Sequence, residues 1–101
     1  MNDYCQQRVL IVGPASELKK FDRDADFTEI PGATDLALLE NSATRIAWQF
    51  ATESPALKFL RVISRQSPRL VFFLDYDCED SRLKGLVRAK HGQLRHHRFS
   101  Y

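Results

Sequence analysis

A single α+β domain is what this sequence predicts, and three observations predict it. Apolar residues recur with the period of two that marks strands in some stretches and with the wider spacing of helices in others. Ser-Pro and Gly-Pro pairs separate these stretches cleanly. The chain of 101 residues is 44% hydrophobic and carries seven Phe, enough for one core and too short for two, so residues 1–101 are expected to form one domain.

Arg8-Val9-Leu10-Ile11-Val12 reads as the first strand, continuous and β-branched, hence expected to be buried on both faces. Gly13-Pro14 ends it. Residues 15–21 follow as a helix, with Leu18 and Phe21 on one face and charges on the other. The acidic stretch Asp22 to Glu29 is expected to fray, and Pro31-Gly32 to turn. Residues 33–43 fit either a short edge strand or a helical turn around Leu36, Leu38 and Leu39.

From Thr44 the pattern sharpens. Ile46, Trp48 and Phe50 alternate with Ala47, Gln49 and Ala51, the period of a half-buried strand. Ser54-Pro55 is expected to start a helix, Ser capping free N–H groups and Pro losing none at the first helical position. Leu57, Leu60 and Ile63, beside Phe59 and Val62, form its apolar stripe, and Ser67-Pro68 stops it. Leu70 to Tyr76 is the strongest strand, with Leu70, Phe72, Leu74 and Tyr76 on one face and Val71 and Phe73 on the other. Cys78 to Ser81 reads as a polar turn. Residues 82–90 and 93–99 then make a hairpin around His91-Gly92.

The first six elements run β-α-β-β-α-β. That order predicts a ferredoxin-like antiparallel sheet with two helices on one face, extended by a C-terminal β-hairpin. An antiparallel sheet covered on one side with apolar residues on both needs a second cover. A loop from residues 26–43 and a second copy of the protein are the two covers to expect.

The opening Asn2-Asp3-Tyr4-Cys5, the strand through Val12 and the following Gly13-Pro14 resemble the start of the YubB-like proteins of phages and plasmids. Trp48 to Phe50, Thr52, Ser54-Pro55, Ser67-Pro68-Arg69-Leu70, Tyr76, Glu79 and Gly85 fall in the same order as in that family. The resemblance spans about the first 20 residues and 46–92. The chain departs where Glu53-Ser54-Pro55-Ala56 lacks the family's tryptophan, and where Asp80 or Ser81 replaces a glycine. The resemblance implies a ferredoxin-like fold and a mobile-element origin, and it brings no known activity with it, the family being uncharacterised. "Ferredoxin-like" names a topology here, because two cysteines cannot supply four cluster ligands.

Cys5 and Cys78 lie outside any CxxC pattern, and no apolar run has the length of an export signal or a membrane span. The expectation is a cytoplasmic protein with reduced, partly buried thiols. Catalysis finds no support: G-x-S-x-G, H-E-x-x-H, Walker A and G-x-G-x-x-G are all missing. Neither a cofactor nor a metal is expected. Asp75 and Asp77 share a strand face but read as a solvated strand end. His96 and His97 point to opposite faces and cannot chelate one ion together.

Charge is the remaining signal. Residues 1–40 hold four basic and eight acidic side chains, whereas from Arg82 onward there are six Lys or Arg, three His and no acid. A turn at His91-Gly92 sets Arg88 opposite Arg95 and Lys84 opposite Phe99. Lys84, Leu86, Arg88, Lys90, Arg95, His97 and Phe99 then share one face. Lys84, Arg88, Lys90, Arg95, His97 and Phe99 are the candidate partner- or anion-binding residues. The plainer account is a charged hairpin that keeps an edge strand from aggregating. The function expected is a non-catalytic interaction or accessory domain of mobile-element type. It binds a protein partner and self-associates through the open sheet face. The alternative is a small nucleic-acid-binding protein using the basic hairpin.

Overall fold

The computed structural model describes residues 4–24, 30 and 32–101. Six strands and two helices follow in the order β1 (Cys5–Val12), α1 (Ala15–Asp24), β2 (Thr34–Asn41), β3 (Arg45–Thr52), α2 (Leu57–Gln66), β4 (Val71–Cys78), β5 (Leu83–Lys90) and β6 (Gln93–Ser100). The strands form one sheet in the order β2-β3-β1-β4-β5-β6, every neighbouring pair antiparallel. This is an α+β architecture with β1 and β4 at its centre.

Alternation decides which face is core. On β1, Cys5, Gln7, Val9 and Ile11 are buried while Gln6 and Arg8 are exposed. The same four residues align with Thr52, Phe50, Trp48 and Ile46 on β3 and with Cys78, Tyr76, Leu74 and Phe72 on β4. Leu18 and Phe21 of α1 and Leu60 and Ile63 of α2 join that layer in one cluster, with the Phe21 ring edge-on to Phe72 at 5.5 Å. Each such fully buried aliphatic or aromatic side chain contributes about 1.5–3 kcal/mol. The expectation that β1 is buried on both faces is therefore corrected: its second face is open, and an apolar run hid an alternation that begins at Cys5.

Several boundaries move for local reasons. Helix α1 continues to Asp24 instead of ending at Phe21; the remainder of the stretch expected to fray, residues 25–29, lies outside the described residues, as does Pro31. Gly32 does sit in a turn, with φ 73°. Residues 34–41 resolve as an edge strand, broken by register shifts and by Asp35 at φ 55°. Such irregularity blunts an edge against further pairing. Strand β2 extends the sheet, so residues 34–41 do not serve as a second cover, and residues 26–29 and 31 of the loop expected to do so lie outside the described residues.

Ser54-Pro55 does not cap α2. The helix begins at Leu57 with no side-chain cap from its own segment. Buried Gln7 instead reaches across from β1: its Oε1 accepts the Ala56 N–H at 2.9 Å, and its Nε2 donates to the Ser54 carbonyl at 3.3 Å and to Thr52 Oγ1. Val62 also leaves the expected stripe and faces solvent, while Leu60, Ile63 and Ser64 are buried. At the other end Ser67 closes the helix, its N–H bonded to the Ile63 carbonyl.

Cys5 and Cys78 form a disulfide, with S–S 1.96 Å and Cα–Cα 4.1 Å. This corrects the expectation of reduced, partly buried thiols. The two residues are 73 positions apart yet directly opposite on neighbouring strands, both almost fully buried. Sequence spacing carries no trace of that pairing. No helix among the described residues is long and apolar enough to cross a membrane.

Candidate binding face of the sheet

The face turned away from the helices is built from the residues that alternate with the core. Across the sheet from β2 to β6, one row reads Glu40, Ala47, Leu10, Phe73, Arg88, Arg95. The next is Ala37, Gln49, Arg8, Asp75, Leu86, His97, and the third Thr34, Ala51, Gln6, Asp77, Lys84, Phe99. No helix among the described residues covers these rows. Phe73, Leu86 and Phe99 are 40%, 57% and 50% exposed. A groove of about 700 Å³ runs along the face between Arg45 and Leu39 on one side and Arg95 and His97 on the other.

The hairpin adopts the register that the two-residue turn implies. His91 and Gly92 have φ of 53° and 76°, the positive values that a two-residue hairpin turn requires. Arg88 consequently faces Arg95, and Lys84 faces Phe99. Five of the six candidate residues, Lys84, Arg88, Arg95, His97 and Phe99, are exposed on this face. Lys90 stands half-buried beside the turn, at the rim.

The charges on the face divide into satisfied and unsatisfied groups. Arg45 pairs with Glu40 at 2.8 Å. Lys84 lies 3.7 Å from Asp77 and 5.2 Å above the Tyr101 ring. The Tyr101 hydroxyl donates to Asp77 at 2.5 Å, and that bond pushes its phenol pKa up to about 12. Among the described residues no carboxylate lies within 4 Å of Arg88 or Arg95. These two guanidinium groups are free to meet an anion. Asp75, between Arg8 and Leu86, has its carboxyl raised above the usual range by partial burial, with the Arg8 charge opposing.

His96 is turned to the opposite side, where its Nε2 and the Tyr76 hydroxyl lie 2.6 Å apart. The Tyr76 ring crosses Gly85 to make that contact: a Cβ at position 85 would sit 2.2 Å from it. His97 is on the open face, so the two neighbouring histidines are separated by the sheet. Asp77 is engaged by Lys84 and Tyr101 while Asp75 faces Arg8, and among the described residues no group of three His, Cys, Asp or Glu could hold a metal ion.

Arg8, Arg45 and Asp75 belong to this face but were not among the candidate residues. The readable signal was the polar Gln6 and Arg8 interleaved with Gln7 and Val9, which marks a one-sided strand. No family model, no curated protein and no solved structure matches the chain.

Proposed function

We propose that the chain is a non-catalytic binding domain that takes an anionic partner on the open face of its sheet. The observation that carries this reading is the row Phe73, Arg88, Arg95. It sets two guanidinium groups, neither within 4 Å of a carboxylate among the described residues, beside an exposed ring on a face that no described helix covers. Like charges directly opposite each other destabilise a ladder by some tenths of a kcal/mol, so the pair is a cost that a bound anion removes. The ferredoxin-like topology is part of the reading: the order β2-β3-β1-β4 and two helices on one layer support it, with β5 and β6 as the extension. A mobile-element origin and membership of the YubB-like group rest on the quoted sequence resemblance.

The test is retention on immobilised heparin as a generic polyanion. Arg88→Glu with Arg95→Glu should elute at markedly lower salt than the parent. Lys58→Glu with Arg61→Glu changes net charge equally on the exposed side of α2 and should shift elution far less. Equal shifts from the two pairs would remove the open face as the site.

Self-association through the same face is a second reading, favoured by exposed Leu39, Phe73, Leu86 and Phe99. A cytoplasmic site of action is the remaining part, and it carries a condition. Cytosolic thiols are kept reduced, so Cys5 and Cys78 would work there as a buried dithiol. Alkylation of the protein trapped directly from cells distinguishes the two states by mass.

A further inference from the structure

Resting on that reading of the face, we infer that its anionic partner is a single-stranded nucleic acid, one base stacking on Phe73 and presenting an amino edge to the Asp75 carboxylate. Asp75 is the decisive residue. It sits in the middle of the face, with the Arg8 guanidinium on β1 to one side and apolar Leu86 on β5 to the other. An ionised carboxylate only accepts hydrogen bonds. An acidic peptide offers further anions and would be repelled there. A nucleic acid supplies both things the groove asks for: phosphates for arginine, and base N–H groups for an acceptor.

The spacing fits that division. Phe73 and Asp75 are two residues apart on the same face of β4, about 7 Å along the strand. Arg88 and Arg95 stand one and two strands from Phe73, roughly 5 and 10 Å away, close enough to reach the phosphates of a base stacked on the ring. Phe99 offers a second exposed ring two strands across and two rows down. Rings and guanidinium planes of this kind are what sequence-tolerant single-strand binders use. The carboxylate adds a preference: cytosine and adenine carry an exocyclic amino group that uracil lacks.

Fluorescence anisotropy with labelled twelve-nucleotide oligo-C, oligo-A and oligo-U RNA tests this, with labelled poly-glutamate as the competing macromolecule. Oligo-C and oligo-A should bind more tightly than oligo-U by about fivefold, and all three should weaken steeply with salt. Phe73→Ala should cost at least about fivefold on every oligomer. Asp75→Asn should bring the three oligomers together, raising oligo-U and keeping the circular dichroism spectrum and melting transition of the parent. No oligonucleotide binding at about 50 mM salt, with heparin retention still lost in the Arg88/Arg95 variant, would overturn the nucleic-acid assignment and leave the anion-binding face standing. Tighter binding of poly-glutamate than of any oligomer would do the same. No oligonucleotide binding together with failure of the parent protein itself to be retained on heparin would remove both. Equal affinity of the parent for oligo-C and oligo-U, or an unaffected Phe73→Ala, would overturn base recognition by these two residues.

Discussion

Gly85 shows how much can depend on one missing methyl group. The Tyr76 ring occupies the space above it and reaches His96, so Gly85→Ala must push the ring off its partner. Overpacking of this kind costs about 1–3 kcal/mol, and the loss should appear in urea unfolding of the variant against the parent. His96 itself links the pair to pH. Burial holds its pKa below the usual 6.5, and the neighbouring Arg98 and His97 charges act in the same direction. Below pH 6.5 the unfolded chain therefore binds a proton that the folded chain resists. Stability should fall as pH drops from 6.5 through the lower folded pKa. Melting temperatures at successive pH values measure the slope, and His96→Gln should flatten it. Alternation alone put His96 and His97 on opposite faces. Nothing local pointed to Tyr76, because that contact needs two intervening strand pairings.

At the scale of elements, the most consequential contacts tie β1 to its neighbours. The disulfide from Cys5 to Cys78 closes a loop across 73 positions, which by chain entropy amounts to about 4 kcal/mol. Reduction, or replacing both cysteines by serine, should lower the unfolding midpoint in denaturant by a corresponding amount. Gln7 anchors the start of α2 by accepting the Ala56 N–H. Gln7→Leu leaves the Ala56 N–H without its acceptor, while the Thr52 hydroxyl keeps its bond to the Ser54 carbonyl, at a cost of about 1–3 kcal/mol. The hairpin behaves in the opposite sense. Arg95→Glu should stabilise β5 against β6 by some tenths of a kcal/mol while weakening retention on heparin, and a melt paired with an elution profile reads both. Hairpin register was legible because a two-residue turn leaves no freedom in pairing. The start of α2 was misread because Ser54-Pro55 is a sound local cap signal that a long-range contact overrode.

For the molecule as a whole, the six-stranded sheet separates a dry side from a charged one. The core cluster takes residues from β1, β3, β4 and β5 and from both helices. The other side exposes Phe73, Leu86 and Phe99 among Arg8, Arg88, Arg95 and His97. This arrangement makes salt the variable that separates the readings. Two copies meeting through a like-charged face should associate more as salt screens their repulsion. A polyanion should bind less, since phosphate contacts release counterions. Light scattering at low and high salt, beside the anisotropy series, compares the two. A monomer at every salt and protein concentration would dispose of self-association through this face.

The sequence by itself determined the order of elements, the face to which each side chain of the hairpin belongs, and the basic character of the C-terminal third. Those properties come from periodicity and turn chemistry, which act over a few residues. Only the tertiary structure decided that Cys5 meets Cys78, that Gln7 serves α2, and that Arg8 and Asp75 lie in the same groove as Arg88 and Arg95. Each of these depends on which strands lie side by side. Strand neighbours are chosen by burial of the whole apolar layer at once, and no local stretch of chain records that choice.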